Sequence, residues 1–189
     1  MDLPANDHHL VMGELTDYLT GETLADTHDE RYRQKIARLL VDNGFARDEI
    51  QGRFSHELRA GDRTAVIKID FTVRVKGKLV LMVKYAPGSL VTRRLSTLAL
   101  ARTLVPYQIP VVVVTNGEDA EIIDGSSGKV VGQGMAGIPT KESILNLWSG
   151  FTFHSISPGV MDQASRIAFA CEVSGACPCD TDVCILENG

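Results

Sequence analysis

Apolar and polar positions recur along this chain with two different periods, and each change of period marks an element. Asp26-Thr27-His28-Asp29 offers several capping side chains, and Tyr32, Ile36, Leu39, Leu40 and Phe45 then recur at helical spacing before the stop signal Asn43-Gly44. The spacing predicts a helix over about 28–43. Upstream, Leu10, Val11, Leu15, Tyr18 and Leu19 are scattered among polar residues, a pattern that fits either a short helix or a packed arm. Downstream the period shortens to two. Arg53 to Arg59 alternates loosely and ends at the turn Ala60-Gly61-Asp62. From Ala65 to Lys76, Ile67, Ile69, Phe71, Val73 and Val75 are expected on one side of a strand, with Lys68, Asp70, Thr72, Arg74 and Lys76 on the other. After the turn Lys76-Gly77-Lys78, Leu79 to Val83 is apolar on both faces, as in a central strand covered on both sides.

Pro87-Gly88-Ser89 breaks that strand, and Val91 to Val105 predicts a helix that turns Leu95, Leu98, Ala101 and Leu104 to the core. Ile109 to Thr115 is a β-branched run suited to a buried strand, followed by shorter strands at Ala120 to Ile123 and Lys129 to Val131. Helices are expected near 141–148 and from about Pro158 to Ala170. Three strands joined by short turns are antiparallel, whereas a helix between two strands allows a parallel crossover. The fold class is therefore α/β, a mixed sheet flanked by helices. The expected divisions are an N-terminal arm (1–25), a main domain (26–150), and a C-terminal helix with a Cys-rich tail (151–189).

A length of 189 residues with 44% hydrophobic positions suits one ordinary globular core. The N-terminus lacks the basic and apolar regions of a signal peptide, and no apolar run is long enough to cross a bilayer, so the expectation is a cytoplasmic protein without membrane contact. The net charge of −5 argues against a protein that coats nucleic acid with its whole surface. Yet from Phe71 to Gly117 there are seven basic residues and no Asp or Glu. Among them, Lys76 and Lys78 flank a turn and Arg93 and Arg94 open a helix, so phosphates would bind there, independently of base sequence, if the four converge. Few aromatic residues lie nearby in sequence, and no platform for stacking bases is evident.

The acid-free stretch begins directly after Asp70 and contains Met82-Val-Lys84-Tyr-Ala-Pro-Gly-Ser. An Asp on one strand and a Lys ending the next make up most of a metal-dependent nuclease site. The acid expected two residues before the Lys is absent, and Met82 stands there. With the order helix, three strands, helix, strand, and with Pro-Tyr-Gln-Ile-Pro and Thr115-Asn-Gly-Glu-Asp-Ala-Glu farther on, the chain resembles the N-terminal domain of type I restriction enzyme R subunits, in particular a short stand-alone subgroup. The resemblance covers about Glu30 to Ile123 and implies a restriction-endonuclease-like PD-(D/E)XK fold. It assigns catalytic positions to Asp70, Lys84 and the helix acid Glu30, with magnesium or manganese at Asp70 if the site is active. A thioether cannot replace a hard carboxylate ligand, so Glu57 on the first strand is the first candidate for a relocated acid, with Glu121 a second.

All four cysteines fall near the end, as Cys171-x5-Cys177-Pro-Cys179-x4-Cys184. Four soft thiolates suit an iron–sulfur cluster or zinc, and unligated or redox-active thiols are the alternative. Three functions follow: a nucleic-acid-binding member of a nuclease family with a degenerate site, an active endonuclease with a relocated acid, or a non-enzymatic interaction or redox-sensing module built on the tail. DNA is a candidate partner, as are other proteins or a second copy of the chain. No Gly-x4-Gly-Lys-Ser/Thr phosphate loop occurs, so any restriction role would draw on partner subunits.

Overall fold

The computed structural model describes residues 10–174 and 183–186. Residues 14–25 form no helix. β1 (Glu14–Thr16) and β2 (Thr23–Ala25) pair as an antiparallel ribbon. Asp17 closes it by accepting hydrogen bonds from the Leu19 and Thr20 amides at 2.8 and 2.9 Å, and an Asp that bonds its own backbone favours a turn over a helix.

α1 (His28–Asp42) begins where predicted, with the Thr27 hydroxyl accepting from the Glu30 amide at 3.1 Å, and it buries Ile36 and Leu40. Three antiparallel strands follow: β3 (Ile50–Ala60), β4 (Arg63–Val75) and β5 (Lys78–Tyr85). α2 (Leu90–Leu104) then carries the chain to β6 (Val111–Thr115), which lies parallel to β5, and β7 (Ala120–Asp124) and β8 (Val130–Gln133) continue antiparallel. The sheet order is β3-β4-β5-β6-β7-β8. α3 (Lys141–Asn146) and α4 (Pro158–Ala168) follow, and α4 runs into a π-helical turn at Phe169–Val173. A short strand, β9 (Val183–Leu186), pairs with the first half of β4.

Two cores hold the sheet, one on each face. Ile36, Ala37 and Leu40 of α1 and Ile144 of α3 share one with Val83 and Tyr85, while α2 and α4 share the other with Leu79 and Met82. Leu95 is not in either core, contrary to the helical spacing. It is 62% exposed, and α2 instead buries Leu90, Ala99, Leu100 and Ala101. Apolar and polar residues are spread all round α2, which buries Ser96 and Thr97 while exposing Val91, so hydrophobic periodicity alone could not select its inner face.

β4 corrects a second expectation. Ile67 and Ile69 belong to the α2 core, whereas Phe71, Val73 and Val75 belong to the α1 core. The apolar row therefore changes sides of the sheet at Asp70. Opposite this point the β3 ladder is interrupted at Arg53, whose φ of 49° is left-handed. α4 is part of the sheet's own core through Ala164 and Ala168. Cys177 and Cys179 lie outside the described residues. No described helix is long and apolar enough to cross a membrane.

Candidate functional site

Asp70 lies at the point where β4 changes cores, and its side chain is 3% exposed. Lys84 is one position beyond the Phe71–Val83 pair on β5, and its Nζ stands 3.5 Å from Asp70 Oδ2. The Tyr85 amide donates to the same oxygen at 2.9 Å. From α1, Arg33 Nε donates to Asp70 Oδ1 at 2.7 Å. Burial alone would raise the Asp70 pKa. The charges of Lys84 and Arg33 and the hydrogen bonds from Arg33 and Tyr85 outweigh it and hold the carboxyl below its ordinary value.

Glu30, one turn before Arg33 on α1, lines the same cleft and is likewise occupied by the protein's own groups. Gln34 Nε2 donates to Glu30 Oε1 at 2.7 Å, Arg53 is ion-paired to Glu30 Oε2, and Arg33 Nη1 stands 3.9 Å from that oxygen. Arg53 also reaches Asp17 Oδ2 at 3.1 Å, and Gln34 donates to Asp17 as well at 3.2 Å. The ribbon, α1 and two strands are thus joined by a lattice of alternating charge. Asp17, Glu30, Arg33, Gln34, Arg53 and Asp70 line a shallow cleft that their own side chains nearly fill, with about 10 Å³ of free space, room for roughly one water. On its rim, Tyr85 donates to Asp29 at 2.9 Å and stacks against Tyr32, with ring centroids 5.8 Å apart. Burial and the bond to Asp29 both keep the Tyr85 phenol protonated by raising its pKa.

Asp70, Lys84 and Glu30 therefore meet as expected. Glu57 does not join them. It pairs with Val66 and is bound by Arg59 of its own strand at 2.6 Å, several residues from Asp70. Glu121 is buried on β7 and is ion-paired to Arg94, so that acid and that guanidinium answer each other. Met82 faces Thr72 across the ladder, is 0% exposed, and fills the core under α2. The four basic residues also fail to converge. Lys76 and Lys78 are at the start of β5 and Arg93 and Arg94 lie beyond its end, and at about 3.3 Å per residue the strand separates them by roughly 20 Å.

A divalent cation does not fit this donor set. A nuclease-type ion needs several hard oxygen ligands with room to bind. Here both carboxylates are taken by guanidinium or ammonium groups, and the third position is an apolar side chain in the core. Among the described residues, no three His, Cys, Asp or Glu side chains are grouped to hold a metal ion.

Arg33, Arg53, Asp17 and Gln34 were not anticipated. Arg33 had a signal, because it follows Glu30 by three residues and so shares its face of α1. Arg53 had one too: counting back along β3 from the two-residue turn Gly61-Asp62 puts Arg53, not Glu57, opposite Asp70. Asp17 and Gln34 are joined only by the folded ribbon and carried no local sign.

Fold and cleft together define a mixed α/β protein whose acidic cleft is neutralised from within. The chain belongs to the family of the type I restriction enzyme R protein N terminus, whose model matches residues 28–139. That span runs from the first residue of α1 past β8, so it contains Glu30, Asp70 and Lys84 and excludes the ribbon and the cysteine tail. No curated protein and no solved structure matches the chain. Membership makes the chain nuclease-related in a coarse sense.

Proposed function

We propose that this protein is a nucleic-acid-binding member of its restriction-related family with a restriction-endonuclease-like fold and a catalytic centre that no longer cleaves phosphodiesters. One observation carries the reading: Asp70 and Glu30, the two acids that a metal-dependent nuclease would use, are ion-paired to Arg33, Lys84 and Arg53. Guanidinium groups hold the carboxylates in the arrangement that cations would otherwise hold, and they supply the positive charge without a bound water to activate. Met82 removes the remaining ligand. The family also suggests DNA or protein partners in general terms.

The test is to incubate purified protein with linear, circular and single-stranded DNA and with RNA, in magnesium or manganese, while titrating manganese calorimetrically. No cleavage and no manganese binding are expected. Robust cleavage abolished by Asp70→Ala would overturn the reading and restore the alternative of an active enzyme with a displaced acid.

A second proposal concerns the tail. Cys184 sits on β9 opposite Val66, and β9 lies against the π-helical turn that carries Cys171, so the chain returns to the same end of the sheet with both thiols exposed. With Cys177 and Cys179 between them in sequence, four thiolates would bind zinc or an iron–sulfur cluster. Metal analysis and an absorption spectrum on protein purified without oxygen separate the two. Finding neither metal under those conditions would leave the tail as a thiol-based redox or interaction segment.

A further inference from the structure

Four aromatic rings from distant parts of the sequence meet at the end of the sheet remote from Asp70. Phe153 packs edge-on against Tyr107 with centroids 5.4 Å apart, lies 5.5 Å from Trp148, and touches Phe151 at 6.1 Å. Trp148, Phe151 and Phe153 pack against the α1 core on one side and remain half-buried, so each keeps an accessible part. Tyr107 is fixed by the Leu79 amide, which donates to its hydroxyl at 2.8 Å. The β4–β5 turn then brings two ammonium groups over these rings. Lys76 Nζ is 5.0 Å from the centre of Trp148, and Lys78 Nζ is 4.9 Å from Tyr107 and 5.8 Å from Phe153.

Both lysines are exposed. The residues that build the surface come from 71–117 and 143–161, and neither stretch contains an Asp or Glu. Phe153 is also held in a left-handed backbone conformation, with φ of 45°, which a phenylalanine adopts only under constraint from its surroundings.

We propose that this surface binds single-stranded nucleic acid by stacking bases on the rings while Lys76 and Lys78 contact the phosphates. An unpaired nucleotide has a flat apolar face joined to an anion. The surface offers the complement of both within the reach of one lysine side chain. Each ammonium group now rests near a ring, and a long flexible stem lets it swing to a phosphate as a base takes its place. A base stacked on an aromatic ring is a stronger contact than an exposed ammonium over the same ring, so the exchange favours binding. A duplex hides its base faces and gains only the charge contacts. The proposal is independent of the Asp70 cleft and stands or falls without it.

Trp148 is the chain's only tryptophan, so its fluorescence reports on this surface alone. Titrating the full chain with an oligothymidylate of roughly 12 nucleotides should quench it to saturation, with tighter binding than to a duplex of equal length. Neutralising two phosphates predicts that log affinity falls with log salt at a slope of roughly −1.4. The double variant Lys76→Ala/Lys78→Ala, on an exposed turn, should weaken binding about tenfold and remove most of that slope. For variants without the fluorophore, anisotropy of a labelled oligonucleotide replaces quenching, and Trp148→Ala should lose binding while its circular dichroism is unchanged. Absence of quenching at low salt would overturn the proposal. So would equal affinity for duplex, or binding unaffected by the double variant. Quenching by phosphatidylserine vesicles but not by the oligonucleotide would overturn it in favour of a membrane surface.

Discussion

β4 and β5 carry basic residues at both ends of their shared hairpin, and the two ends treat them differently. At the Asp70 end, Lys84 and Arg33 converge on one buried carboxylate, and Arg53 answers Glu30 and Asp17. At the turn, Lys76 and Lys78 rest over aromatic rings and face solvent. The same kind of side chain is thus structural cement in one place and an accessible charge in the other. What differs is the partner. A carboxylate in a dry site fixes a cation strongly because neither charge can return to water without breaking the pair, whereas a ring over water holds it weakly and leaves it exchangeable. A run of basic residues in sequence therefore says little about polyanion binding until each one's partner is known.

The largest expected effect is at the cleft. Asp70→Ala leaves Arg33 and Lys84 facing each other without the carboxylate that joins them. Removing one partner of a buried ion pair costs about 3–5 kcal/mol, and chemical denaturation followed by circular dichroism should show a loss of that order. A loss under about 1 kcal/mol would mean that the lattice is solvated and the contrast between the two ends is false. Met82→Ala comes next. Its side chain is fully enclosed among Thr72, α2 and β6 neighbours, and emptying such a position costs about 3 kcal/mol through lost burial and a cavity. Met82→Glu, which would rebuild the missing acid on paper, should instead be the more damaging change, because it buries a carboxylate in an apolar core.

The chain's local patterns carry its elements but not their packing. The tight turn Lys76-Gly77-Lys78 put Asp70 and Lys84 on adjacent strands, but counting from that turn pairs Asp70 with Val83, and the register shift between Val73 and Arg74 is what sets Lys84 opposite it. The order of helices and strands was legible for the same local reasons, from caps, periods and turn residues. The side of the sheet was not. Met82 and Leu95 had the right chemistry for several environments, and only the packing of α2 decides that one is enclosed and the other exposed. Charge partners were hardest. Arg53 and Arg94 are exposed-looking residues in sequence whose acids, Glu30 and Glu121, come from elements 23 and 27 positions away. The aromatic cluster was missed for the same reason, since Tyr107 and Phe153 meet across 46 positions.

Acid should distinguish the two ends without any substitution. The Asp70 carboxyl has a folded-state pKa below its unfolded value of about 3.9. Its contribution is therefore complete above that value and is lost as pH falls through the folded pKa. Asp17, also lowered, acts in the same direction: burial would raise it, but bonds from the Thr20 and Leu19 amides and from Gln34, with the Arg53 charge, prevail. The denaturant midpoint should hold steady near neutrality and drop below about pH 4, and Asp70→Asn should flatten part of that drop. If the variant and the parent lose stability in parallel, Asp70 is not among the groups responsible.

The smallest expected effect on stability belongs to the turn, and it completes the contrast. Lys76→Ala/Lys78→Ala removes two cation–π contacts made by exposed ammonium groups, each worth about 0.5–1 kcal/mol where water has access. The two lysines also repel each other across Gly77, which offsets part of that loss. The net change should be within about 1 kcal/mol, measured as a shift in denaturant midpoint without a change in slope. Lys76 adds one complication, because its backbone is left-handed with φ of 48°. Alanine tolerates that conformation no better than lysine, so the strain cancels in the comparison, whereas Lys76→Gly would relieve it and raise stability slightly. A large loss in the alanine variant would make these lysines structural after all, and the two ends of the hairpin would then differ in chemistry but not in role.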